Sequence, residues 1–262
     1  MKMNKKKVII IIVLQITILS LGKIVSAQEQ VEYAGYYCEK VNITTTYVDN
    51  INTLLGIFTN QSSDDSMFFN TSSGVGDDQV HGLYLCRPDI SPETCDICIR
   101  RSVRVIKTYC PISLEALIWF HECMVHYSNR IVAATLQTEP RDSHYSDYSV
   151  SQPDIFPEIR NETLERIITD ASMPENEDRF AYDSSEFTPF EGFYGMAWCT
   201  PDIKPSQCES CLRTAVSKIP DCCYNGLALW AYILQPSCVL RYDTAPFIFP
   251  DSSPLALAPA PL

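Results

Sequence analysis

Cys86-Arg-Pro-Asp-Ile-Ser-Pro-Glu-Thr-Cys95-Asp-Ile-Cys98 and Cys199-Thr-Pro-Asp-Ile-Lys-Pro-Ser-Gln-Cys208-Glu-Ser-Cys211 are two copies of one pattern. Each has the spacing Cys-x8-Cys-x2-Cys, and the second copy follows at a constant offset of 113 residues, Cys86 to Cys199. Pro88, Asp89, Ile90 and Pro92 return as Pro201, Asp202, Ile203 and Pro205, and Arg100 returns as Arg213. Chance does not put three cysteines and two prolines in register twice, so the chain is a tandem of two related units.

Around the motif the apolar pattern supplies the elements. Val48, Ile51, Leu54, Leu55 and Phe58 mark one face of a helix over 45–59. Residues 61–78 are polar and rich in Gly, Ser and Asp, and read as a loop. Val80 to Cys86 reads as a strand entering the motif. Ser91-Pro92 is a helix start, a capping hydroxyl followed by proline at the first helical position, and the helix should run to about Thr108. Two strands close the unit, Leu114 to Phe120 and Cys123 to Ser128. In the second unit a helix over 157–171, a strand over 187–199, a helix over 205–219 and strands over 228–234 and 238–243 repeat the order. The expected fold class is α+β: two tandem disulfide-rich domains, each an antiparallel sheet with two helices on one face.

The chain has 262 residues. It opens with Met-Lys-Met-Asn-Lys-Lys-Lys, an apolar run from Val8 to Leu21, and the small residues Val25-Ser26-Ala27. That is a secretory signal peptide with cleavage expected after Ala27. The run is interrupted by Gln15 and Thr17 and is short for a membrane span. The expected division is signal peptide 1–27, first domain 28–136, linker 137–156, second domain 157–246, and a disordered Pro/Ala-rich tail 247–262. No membrane span is expected in the mature chain.

Residues 1–27 hold five of the 20 basic residues and none of the 32 acids, so the mature chain carries a formal charge of −17. Such an acidic surface excludes nucleic acid as a partner, since that ligand selects a basic face, and argues against adsorption to anionic lipid. All 12 cysteines lie in the mature part. An even count in a secreted chain reads as disulfides. The sequons at Asn42, Asn60, Asn70 and Asn161 suit the same compartment and are expected to carry glycan.

The cysteine pattern, the segment Ala116-Leu-Ile-Trp-Phe-His-Glu-Cys-Met-Val-His-Tyr-Ser128, and the closing Pro236-Ser-Cys-Val-Leu-Arg-Tyr-Asp243 resemble the plant cysteine-rich repeat secretory proteins. These carry tandem ginkbilobin-homologous domains, also called salt stress response/antifungal domains. The same tandem forms the ectodomains of cysteine-rich receptor-like kinases and plasmodesmata-located proteins. The resemblance covers nearly all of residues 31–245. It implies the disulfides Cys38–Cys110, Cys86–Cys95 and Cys98–Cys123 in the first unit, and Cys199–Cys208 and Cys211–Cys238 in the second. Cys222 and Cys223 are left over, because no cysteine stands between Cys123 and Cys199. A vicinal bond, a shifted pairing and an intermolecular bond are all open to them.

The resemblance also implies a test for sugar binding. Single-domain ginkbilobin binds mannose through an Asn just after the first cysteine, an Arg six residues before the last, and a Glu five after it. Here those places hold Glu39, Leu117 and Ser128 in the first unit. In the second unit the last two hold Tyr232 and Asp243. Asp243 alone keeps its chemistry and is the one candidate ligand-binding residue. Trp119, Trp198 and Trp230 can stack on sugar rings, but each lies in an apolar strand, where packing in the core is the commoner use.

No catalytic, cofactor or metal site is expected. The Cys-x2-Cys pairs are better explained as disulfides than as zinc ligands in an oxidising compartment. His121-Glu122 with His126 has the wrong spacing for a metalloprotease helix. No nucleophile motif accompanies the four histidines His81, His121, His126 and His144. The expected function is a secreted, non-enzymatic recognition protein of the apoplast, in a stress or defence response, binding a cell-wall or microbial glycan. The alternative is an extracellular protein-interaction module that associates with the related receptor-kinase ectodomains without binding sugar.

Overall fold

The computed structural model describes residues 31–188 and 191–247, with the side chain of Phe187 excepted. The expected signal peptide and, apart from Phe247, the expected tail lie outside the described residues. From Glu32 onward the chain builds two copies of one arrangement. The first has β1 (Tyr33–Glu39), α1 (Thr45–Gln61), β2 (Phe68–Ser73), β3 (Val80–Cys86), α2 (Pro92–Tyr109), β4 (Glu115–Phe120) and β5 (Cys123–Ser128). The second has β6 (Asp142–Tyr145), α3 (Phe156–Ala171), β7 (Phe180–Thr188), β8 (Glu191–Cys199), α4 (Pro205–Cys222), β9 (Trp230–Leu234) and β10 (Cys238–Asp243). Both sheets are five-stranded and antiparallel, with orders β1-β4-β5-β3-β2 and β6-β9-β10-β8-β7.

Each sheet therefore has two strands more than the apolar pattern indicates. In every case the added strand sits at a sheet edge. β2, Phe-Phe-Asn-Thr-Ser-Ser, pairs only with β3 and exposes Asn70 and Ser72, so it needs no apolar alternation. The segment expected as a linker holds β6, which pairs with β9 and occupies the place that β1 takes in the first sheet.

The helices start where their caps dictate. The Thr44 Oγ1 accepts the Tyr47 N–H at 2.9 Å, and the Ser91 Oγ accepts the Thr94 N–H at 3.1 Å. Tyr47, Ile51, Leu54, Leu55 and Phe58 form the buried side of α1. In the second copy Leu164, Ile167 and Ile168 of α3 and Cys208, Cys211, Leu212, Ala215 and Ile219 of α4 pack on Phe193, Ala197, Ala231, Ile233, Leu240 and Tyr242 of the sheet.

The opposite faces of the two sheets meet. Leu83, Leu85, Leu117, Trp119 and Met124 of the first sheet share one buried cluster with Met196, Trp198, Tyr232, Leu234 and Val239 of the second. These positions follow the two-residue period of a strand, the alternate residues going to the helices. The order of layers is helices, sheet, sheet, helices. Burying large side chains such as Trp119 and Trp198 between the sheets joins the two copies through a shared core.

Five disulfides fasten the layers, and a sixth joins neighbours in sequence. Cys86–Cys95 and Cys199–Cys208 tie the end of β3 or β8 to the following helix. Cys98–Cys123 and Cys211–Cys238 tie that helix to β5 or β10. Cys38–Cys110 ties β1 to the end of α2. Cys223 stands 113 residues after Cys110, but strand β6 offers it no cysteine, and it bonds to its neighbour Cys222.

Candidate functional site

Where the layer between the sheets reaches its end, it opens into a cleft of about 340 Å³. Sheet two supplies the floor. Trp230 lies directly opposite Asp243, and Tyr232 opposite both Arg241 and His144, so all five side chains come from one face. Glu32, Tyr33 and Ala34 at the start of β1, with His121 from the turn after β4, supply the facing wall. The wall is pinned by the His121 N–H donating to the Glu32 carbonyl at 2.8 Å and the Glu32 N–H donating to the Glu122 carboxylate at 2.9 Å. Gly35 is required beside it. A Cβ there would stand 2.8 Å from the Asp142 carboxylate and 3.3 Å from His144 Nε2, so β1 and β6 approach closely only through a glycine.

The polar groups of the cleft are positioned by one another. Arg241 Nη1 donates to His121 Nδ1 at 3.1 Å. Its guanidinium carbon lies 4.0 Å from the centre of the Phe247 ring, and its Nη2 lies 3.8 Å from the Asp243 carboxylate. Burial, then the cations Arg241 and Arg87, bring the His121 pKa down to about 4, so the ring is neutral and free to accept. Burial raises the carboxyl of Asp243, which also accepts the Ala245 N–H at 2.9 Å. Burial likewise pushes the Tyr33 phenol up to about 12. His144 rests 3.1 Å from Asp142. Trp230 keeps 39% of its surface exposed and Tyr33 keeps 42%, leaving two aromatic rings at the mouth.

Such a cleft combines two exposed ring faces with hydrogen-bond donors and acceptors. Among the described residues no group of His, Cys, Asp and Glu is arranged to hold a metal.

Of the residues singled out in the sequence, Asp243 and Trp230 are in this cleft and Trp119 and Trp198 are in the core between the sheets. His126 is also interior: its Nε2 lies 2.8 Å from Glu115 Oε1, and Arg130 donates to the other carboxylate oxygen at 2.6 Å. Asn42, Asn60, Asn70 and Asn161 are all exposed. Arg241, His144, Glu32 and Tyr33 were not apparent as site residues. For Arg241 a signal existed: in Cys238-Val-Leu-Arg-Tyr-Asp243, alternation puts Arg241 and Asp243 on the face of Val239, charges following an apolar residue on one side of a strand. The other three are brought in by β1 and β6, whose pairing the sequence did not indicate.

No helix among the described residues is long and apolar enough to cross a membrane. Comparison with known proteins places the chain. The salt stress response/antifungal family matches residues 37–130 and 142–245, the second match beginning at β6. Cysteine-rich repeat secretory protein 9 of Arabidopsis thaliana is 34% identical over 81% of this chain and 66% of its own length. Cysteine-rich receptor-like protein kinase 25 of the same plant is 29% identical over 83% of this chain but only 32% of its own length. Among solved structures, the tandem DUF26 ectodomain of the Arabidopsis thaliana cysteine-rich receptor-like protein PDLP8 matches with a TM-score of 0.69 and 28% identity, over 83% of this chain and 99% of that one. The repeated cysteine motif, the two like sheets and these likenesses agree: this chain belongs to the salt stress response/antifungal family, as a tandem, cysteine-rich secretory member.

Proposed function

We propose that this is a secreted, non-enzymatic recognition protein that binds a neutral oligosaccharide in the cleft between β1 and β9. The observation that carries the reading is Trp230. A tryptophan in an otherwise buried strand keeps 39% of its surface exposed, opposite a partly buried Asp243 and beside Arg241 and His144. A ring face stacks on a pyranose, while a carboxylate and a neighbouring donor take up adjacent hydroxyls. The cleft holds two positions of the single-domain relatives' mannose set, Tyr232 and Asp243, and of these only Asp243 keeps the chemistry of that set. The family description supports a stress or defence setting, and the rings and polar groups of the cleft support a cell-wall or microbial glycan of the apoplast as the ligand class.

A glycan array probed with the oxidised chain from residue 28 tests the reading, with Trp230→Ala and Asp243→Ala alongside. Selective binding that both variants lose supports it. Absence of binding by folded, fully disulfide-bonded protein overturns it for the sugars tested and favours the protein-interaction reading. The exposed stack of Tyr36 on Tyr109, ring centres 5.5 Å apart, is where a protein partner would then be sought.

A further inference from the structure

A second concavity, about 410 Å³, runs between α3 and α4 on the outer side of the second unit. Val216 and Pro220 give it an open apolar side above the buried Leu164 and Ile168, and Arg160 and Asn161 stand at one end. Asn161 heads the sequon Asn161-Glu-Thr163 and is exposed on α3. Its side chain is nevertheless fixed. Arg160 Nε and Nη2 both point at its Oδ1, at 3.2 Å and 2.9 Å. A guanidinium only donates, so it can hold the carboxamide only by its oxygen. The Asn161 nitrogen, the atom that takes an N-linked sugar, is thereby turned away from the arginine and left open.

Arg160 itself is held from the inside. Only 6% of its surface is exposed, and its Nη1 donates to the Gly226 carbonyl in the turn after the vicinal disulfide. A Cβ on Gly226 would fall 2.7 Å from that nitrogen, so the turn closes directly on the guanidinium. A buried cation thus sets the orientation of an exposed asparagine at the end of an apolar groove.

We infer that the glycan on Asn161 seats its first N-acetylglucosamine in the α3–α4 groove and acts as a structural part of the second unit. The sugar's apolar face and acetyl methyl cover Val216 and Pro220, while the ion-paired Glu165 and Arg213, with Ser217, offer polar edges to its hydroxyls. The open apolar side of the groove, at Val216 and Pro220, is covered in this way by the chain's own modification.

The test uses the full chain secreted from cells that make high-mannose glycans. Glycopeptide mass spectrometry gives occupancy at Asn161, and thermal unfolding is compared for the wild type, N161D and N60D. Aspartate keeps an oxygen for Arg160 and cannot carry the sugar, and Asn60 is a second exposed sequon on a helix. We expect Asn161 to be occupied, N161D to unfold about 2–4 °C lower, and N60D to be unchanged. Trimming with an endoglycosidase that leaves one N-acetylglucosamine should keep the wild-type midpoint. Wild type and N161D, both refolded without glycan, give the effect of the side chain alone, including the ion pair the new carboxylate would make with Arg160, and subtracting it leaves the effect of the sugar. An unoccupied Asn161, an equal effect of N60D, or a midpoint unchanged by loss of the Asn161 glycan overturns the inference.

Discussion

Tyr47 and Arg160 occupy one position in the two copies, 113 residues apart, and use different chemistry to make the same connection. Tyr47 reaches from α1 and donates its hydroxyl to the Leu114 carbonyl at 2.6 Å. Arg160 reaches from α3 and donates to the Gly226 carbonyl. Each pins the segment that follows its unit's second helix onto the first helix. Tyr47→Phe should cost about 1–2 kcal/mol, because the Leu114 carbonyl loses a partner in a buried place. Gly226→Ala should cost more than 1 kcal/mol, since its φ is +77° and the new Cβ meets Arg160. Urea denaturation of the oxidised chain reads both.

The three tryptophans should divide by function. Trp119 and Trp198 are 0% and 2% exposed between the sheets. Replacing either by alanine should cost about 3–5 kcal/mol and loosen one copy from the other. Trp230→Ala should change stability by about 0.5–1 kcal/mol at most, as a half-exposed residue at a strand end. Denaturation midpoints set against sugar binding separate the roles. Loss of fold in Trp230→Ala would move that residue from the cleft to the core.

The contrast shows what the sequence carried. The four helices, the six inner strands and the two-copy order were legible, because each shows a cap, a period or a repeated cysteine. β1, β2, β6 and β7 were not, because an edge strand is specified by the strand it joins. β6 is four residues, Asp142-Ser-His-Tyr145, with no apolar alternation at all. The cleft needed both β1 and β6, so it was legible only as far as its floor, at Asp243 and Trp230. Likewise the vicinal bond became definite only when β6 took the place of β1 without supplying a cysteine.

Cysteine pairs should differ in worth according to the loops they close. Cys38–Cys110 closes a separation of 72 residues, Cys222–Cys223 a separation of one. In the chain-entropy account the first restricts the unfolded chain by about 4 kcal/mol, and the second restricts it little. Cys38→Ser with Cys110→Ser should therefore unfold far earlier than Cys222→Ser with Cys223→Ser. Midpoints of the two double variants in non-reducing urea check this. A comparable loss from the vicinal pair would mean that the turn at Tyr224–Gly226 depends on the bond for its native shape.

Acid should weaken the fold through its buried histidines, while Asp243 and Glu122, whose carboxyls burial raises, oppose the loss. His121 has a folded pKa of about 4, set by burial and by Arg241, Arg87 and His144, against an ordinary value of 6.5. Above 6.5 it is neutral in both states and contributes no pH dependence. Between 6.5 and about 4 the unfolded chain binds a proton that the folded chain refuses, so stability falls as pH falls. The slope approaches at most about 1.4 kcal/mol per pH unit for this one group. His126 is lowered by burial too and adds to the decline with the same sign. Glu115, held below the ordinary carboxylate range by His126 and Arg130 despite its burial, adds a loss only at lower pH, as it protonates in the folded state. His121→Asn should keep an acceptor for Arg241 and remove close to one proton from the linkage between pH 6.5 and 4. Urea midpoints across that range, for wild type and variant, measure the difference directly. Parallel curves would show that His121 is already protonated in the folded chain, and that the Arg241 contact is not made as a neutral-ring hydrogen bond.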